Sequence, residues 1–163
     1  MQSAPAGSTL RRGEIGLRLF IVIGLFALLC VPAASAAVDR ELAAGGKPLS
    51  LVDGRGMALV SSREGAILGS VNRGRVRATN ATVYGCETRR RLTRRTVLCI
   101  GRDLDFSATG RRWKIVARGS GINASGKLKG SVTLQGTSGT YSLQPGGGDP
   151  RPWPRRARTF RLG

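Results

Sequence analysis

The chain contains no histidine, and it sets nine Asp and Glu against 27 Lys and Arg in 163 residues. Without an imidazole, hydrolytic triads and Cys–His pairs have no general base. Three cysteines with no histidine do not fill a closed zinc site either. Aromatics are scarce, with two Trp, two Tyr and four Phe. Long hydrophobic runs are nearly missing: the one present, Leu19–Val31, is shorter than the roughly 18 apolar residues a membrane-crossing helix requires. No later segment carries an apolar stripe at i, i+3, i+4 and i+7, so helix is not expected in the rest of the chain.

What is present at the N-terminus reads as an export signal. Arg11, Arg12 and Arg18 precede the apolar run, Pro32 ends it, and Ala34-Ser35-Ala36 places small residues where a signal peptidase reads. Residues 1–36 are therefore expected to be a signal peptide cut between Ala36 and Ala37. Leu29 before Cys30 lacks the small residue of a lipobox, and Glu14 after the arginine pair disfavours twin-arginine export. If left uncleaved, this segment would be the chain's contact with the membrane. Cleavage removes Cys30 and leaves Cys86 and Cys99, an even pair in an oxidising compartment, for which a disulfide is expected. The mature part retains 24 Lys and Arg against 8 Asp and Glu.

Residues 37–53 are small and polar and read as a flexible leader. From Gly54 the pattern becomes short apolar runs rich in Val, Ile, Thr and Leu, punctuated by Gly and Asn, which predicts a single all-β domain over 54–163. Alternation puts Trp113, Ile115 and Ala117 on one face, and Leu128, Val132 and Leu134 with Gly130 on another. A Pro- and Gly-rich linker, 145–154, precedes a last strand. The expected fold is an antiparallel β-sandwich or barrel of short strands, with a short β-solenoid as the alternative because the glycine spacing forms a degenerate repeat.

The candidate site residues are few. Arg89, Arg90, Arg91, Arg94 and Arg95 lie between the two cysteines and suit phosphate or carboxylate oxygens, which guanidinium groups grip in a planar, bidentate manner. The plainer alternative is a solvated charge run. Arg155, Arg156, Arg158 and Arg161 form a second cluster after the linker. Asp103 and Asp105 are the one pair of carboxylates; on a regular strand they would share a face about 7 Å apart, a spacing open to glycan chemistry or calcium, or simply to solvent. Tyr84, Trp113, Tyr141 and Trp153 fall where core residues belong, so packing is expected of them and nucleic acid is disfavoured as a partner. No Gly-x-Ser-x-Gly elbow is present. No enzyme, metal or cofactor is expected. Asn80-Ala81-Thr82 and Asn123-Ala124-Ser125 are sequons that act only in a eukaryotic secretory pathway.

The stretch GSGINASGKLKGSVTLQGTSGTYSL, followed by Trp153 and TFRLG, resembles small secreted Gly-rich all-β repeat proteins of actinobacteria. The resemblance implies export and an all-β repeat fold and brings no activity, ligand or catalytic residue; the cysteine pair and the arginines between them depart from it. The residues together lead us to expect a non-catalytic domain of the secreted fraction or cell envelope, binding anionic cell-wall polymer or lipid head groups through its arginines. A carbohydrate-active or lectin-like module using Asp103 and Asp105 is the alternative.

Overall fold

The computed structural model describes residues 46–145 and 148–163. The signal peptide, its cleavage point at Ala36 and Ala37, and residues 37–45 of the expected leader lie outside the described residues. The described part is all-β and antiparallel, with β1 (Lys47–Thr79), β2 (Thr82–Tyr84), β3 (Thr88–Thr93), β4 (Thr96–Ala108), β5 (Arg111–Ser142), β6 (Arg151–Pro152) and β7 (Arg158–Leu162). Two of these are far longer than the short strands expected from the sequence. Most of the glycines read as turns lie inside continuous strands. β1, β2 and β3 all run antiparallel to β4, and past Gly110 the chain continues from β4 into β5 along β1, pairing Ala108 with Ile67 and then Arg111 with Glu64, so of the breaks between these strands the Arg94-Arg95 turn is the reversal.

Register explains the length. The first half of β5 pairs on one side with the first half of β1, as in Ala117 with Ala58, and on the other with the second half of β1, as in Ala117 with Val76. The second half of β5 then returns along the free side of β1, pairing Val132 with Val60. Outward from this centre, β4 pairs with the second half of β1, and β2 and β3 pair with β4. At the other side β6 and β7 pair with β5. These two edges do not pair with each other, so the closed barrel among the expected folds is not formed.

Such long strands must bend, and a row of glycines lets them. Gly101, Gly74, Gly119, Gly56 and Gly136 are successive neighbours across five strand segments. At Gly74 and Gly119 φ is 156° and 149°, a conformation that side chains disfavour. A Cβ on either residue would overlap the carbonyl oxygen of the opposing strand, that of Arg118 or Arg73. Two or three residues along each strand runs a second irregular line. Asp103, Gly121, Asp53 and Gly139 take φ values of 50°, 63°, 47° and 102° there, and the ladder skips a pair between Val71–Leu104 and Arg73–Arg102. The sheet turns along these two lines.

The core lies on the concave side. Trp113, Ile115 and Ala117 are buried, as are Leu128, Val132 and Leu134, so both alternation patterns hold. The Trp113 indole N–H donates to the Gly65 carbonyl at 3.1 Å and that of Trp153 to Thr140 at 3.0 Å, which satisfies the polar end of each buried ring. Cys86 and Cys99 are joined by a disulfide, with Cys99 in the core. Three expectations need correction. Leu49 and Leu51 are core residues of β1, so residues 47–53 are not leader. Within the expected linker, Arg151–Pro152 forms β6 and Trp153 packs over Gly54 and Gly136. Tyr84, expected to pack, is 61% exposed: alternation in β2 turns Val83 inward and Tyr84 out.

Candidate functional site

On one side of the bend the outer surface is basic, and β-pairing sets cations directly against one another. Arg75 on β1 pairs with Arg118 on β5, and Arg73 pairs with Arg102 on β4. Like charges directly opposite each other on a sheet repel. Among the described residues the one ion pair is elsewhere, Lys129 with Glu64 at 3.8 Å. Acids therefore do not neutralise this surface.

Two concavities run along it. The first is floored by Gly56, Gly119 and Gly136 of the bend row and rimmed by Arg55, Arg118 and Arg155. Its floor has no side chains because the bend tolerates none, so a ligand can approach the backbone closely. Arg155 reaches this rim because Trp153, two residues earlier, is anchored on the same row. The second concavity shares Met57 and Arg118 with the first and continues past Arg75 and Arg77 to Leu98 and Leu92. Together they form a strip lined by Arg55, Arg155, Arg118, Arg75 and Arg77, with Met57, Leu59, Val116, Leu98 and Leu92 among them. Guanidinium groups so arranged can bind successive anionic groups of one extended chain.

The arginines singled out from sequence are divided by the fold. Arg90 opposes Leu98, which lines the basic strip, whereas Arg89 opposes the inward-facing Cys99. Alternation thus sends Arg89 and Arg91 to the other side of an edge strand, and Arg94 and Arg95 form the hairpin turn. Arg91 donates to the Arg94 carbonyl at 3.4 Å, and the Arg95 N–H donates to the Thr93 hydroxyl at 3.2 Å. All five are exposed, and none of them lines either concavity. In the second cluster Arg155 joins the rim, while Arg158 and Arg161 lie on β7 at the edge opposite β3. Arg55, Arg75, Arg77 and Arg118 were missed by reading charge runs. Period-2 spacing in Arg75-Val76-Arg77 was the available signal, but only register joins these residues.

Asp103 and Asp105 do not sit on a regular strand. Asp103 holds a φ of 50° in the bend, so the alternation that would align it with Asp105 is interrupted there. Asp105 lines a separate groove on the other side of the bend with Tyr84; Asp103 does not. The disulfide is compatible with an extracellular protein, and among the described residues no helix is long and apolar enough to cross a membrane. Comparison with models of protein families, with curated proteins and with solved structures returned no match.

Proposed function

We propose that the chain is a non-catalytic domain of the secreted fraction or cell envelope, folded as a two-layer β-sandwich, that holds an extended polyanion along its basic strip. One observation carries this reading: Arg55, Arg118 and Arg155, from three distant parts of the chain, surround a glycine floor that is continuous with the like-charge pair Arg75–Arg118. Repulsion within a sheet is an arrangement that a bound anion relieves, since each anionic group between two guanidiniums converts repulsion into attraction. An extended polymer suits the strip better than a compact anion because the cations are spread over two adjoining concavities and several strand segments.

The test is titration with polyphosphate at increasing salt. Binding by cation–polyanion contact releases counterions, so log affinity falls linearly with log salt concentration, and removing one contacting arginine lowers the slope by about 1. Arg118→Ser and Arg55→Ser are each expected to weaken binding and flatten the slope, while Arg94→Ser, in the exposed turn, leaves both nearly unchanged. Affinity independent of salt, or lost only in the Arg94 variant, overturns the reading. Binding to phosphatidylglycerol vesicles but not to polyphosphate would replace the polymer with a lipid surface.

A further inference from the structure

Across the bend from the arginines lies a groove of different chemistry. Its floor and walls come from five segments, 50–52, 68–70, 84, 105–107 and 123–125, and contain no Lys or Arg. In a chain with 27 such residues this is a sharp division of the surface. Tyr84 pairs with Asp105, Asp105 with Ser70, and Ser70 with Asn123, so phenol, carboxylate, hydroxyl and amide stand in one line across four strands. At about 4.8 Å per strand that line is roughly 14 Å long, longer than a single sugar ring.

One of these polar groups, the Asn123 amide, is held in place. Asn123 accepts the Asp53 N–H at 2.9 Å through Oδ1 and donates to the Gly121 carbonyl at 3.2 Å through Nδ2, which fixes the amide and leaves one further donor and acceptor site on it. Asp53 and Gly121 have the positive φ values of the second bend line, so the bend itself positions this amide. Tyr84, at 61% exposure, is the most exposed large hydrophobic residue among the described residues, and Val52 and Leu68, at 53% and 44%, lie in the same groove.

We infer that this groove binds an uncharged saccharide chain. An exposed aromatic ring covers the apolar C–H face of a sugar, while a fixed amide, a carboxylate and hydroxyls exchange hydrogen bonds with its hydroxyl groups. A polyanion is excluded because Asp105 supplies the one charge and it is negative. A protein partner would use the apolar residues but has less need of the polar line between them. The inference does not rest on polyanion binding by the basic strip.

The experiment is a binding screen of the full chain against uncharged gluco-, manno-, galacto- and arabino-hexasaccharides in high salt, followed by calorimetry with any that bind. At least one is expected to bind with an affinity insensitive to salt. Tyr84→Ala and Asn123→Ala are each expected to weaken it about tenfold or more, the scale of losing a central aromatic or polar anchor, while Arg118→Ser leaves it unchanged. Tyr84 is exposed and Tyr84→Ala should melt with the wild type, which separates loss of binding from loss of fold. If no hexasaccharide binds at millimolar concentration, or binding survives in Tyr84→Ala, the inference fails. It also fails if Tyr84→Ala instead abolishes concentration-dependent self-association in size exclusion, which would make the groove a contact between copies.

Discussion

Replacing Gly119 with alanine tests whether the bend row determines the fold. Gly119 has φ of 149°, and a residue held in this glycine region costs of order 1–3 kcal/mol. Its Cβ would overlap the Arg73 carbonyl oxygen and lie 2.9 Å from Gly74 Cα, so the two backbones must separate, and forcing atoms into a packed site costs typically 1–3 kcal/mol more. The sum, about 2–6 kcal/mol, is a large part of the 5–15 kcal/mol that stabilises a typical domain. A loss of about 3 kcal/mol corresponds to a fall in Tm of roughly 10–20 °C for a domain of this size.

The assay is urea unfolding of the oxidised protein with tryptophan fluorescence as the probe, since Trp113 and Trp153 are both buried. Gly101→Ala is the internal control: it lies in the same row, but its nearest contacts, at 3.0 and 3.2 Å to the Glu87 backbone and side chain, ask far less of the structure. Gly74→Ala should match Gly119→Ala, because each Cβ meets the carbonyl beside the other glycine. The double variant should then cost less than the sum, as strands already parted by one methyl accommodate the second. A Gly119→Ala protein within about 0.5 kcal/mol of wild type, the range of ordinary surface changes, would refute the account of the bend.

Removing the disulfide by Cys86→Ser should cost about 3 kcal/mol, the chain-entropy value for a loop of this length, and Cys99→Ser should cost more, because Cys99 is wholly buried and the hydroxyl gains no water there; urea midpoints of the two variants check the order. Arg75→Thr is expected to raise stability by a few tenths of a kcal/mol in low salt by relieving repulsion from Arg118, with the gain shrinking in high salt, while polyphosphate affinity falls. Leu49→Ala should cost about 2–5 kcal/mol, since Leu49 belongs to the core; a neutral effect would return residues 47–53 to the leader. Mass spectrometry of protein from a secreting host is expected to give a chain starting at Ala37, with two thiols alkylated only after reduction.

The legible part of the fold is what local alternation controls. Trp113, Ile115 and Ala117 were assignable to the core because period-2 alternation sets them on the face opposite Lys114 and Arg118, and the cysteine pair followed from counting. Strand length was not legible, since a glycine that bends a continuous strand and one that ends a strand look alike in sequence. Gly74 and Gly110 both have positive φ, yet one lies within β1 and the other falls in the break between β4 and β5. The same ambiguity hid the basic site. Arg55, Arg118 and Arg155 are scattered in sequence, and only the two registers of β1 on β5 put Gly56 beside Gly119 and Gly136 and so bring these arginines together. Charge runs drew attention to Arg89–Arg95 instead, where an edge strand and its turn spread the side chains apart.

The bend also ties stability to recognition. The glycine row is needed for strands to approach, and for that reason it leaves a floor without side chains between Arg55, Arg118 and Arg155. The second bend line, through Asp53 and Gly121, fixes Asn123 in the opposite groove. Each proposed site is thus assembled by one of the two lines along which the sheet turns. A larger residue in the glycine row would therefore damage the fold and fill the basic site together, whereas Arg118→Ser or Tyr84→Ala removes a binding group and leaves the bend intact. Folding and binding separate under the second kind of substitution and not under the first, so a Gly119 variant that folds normally yet loses polyphosphate binding would place the floor in contact with the ligand and relieve it of any structural role.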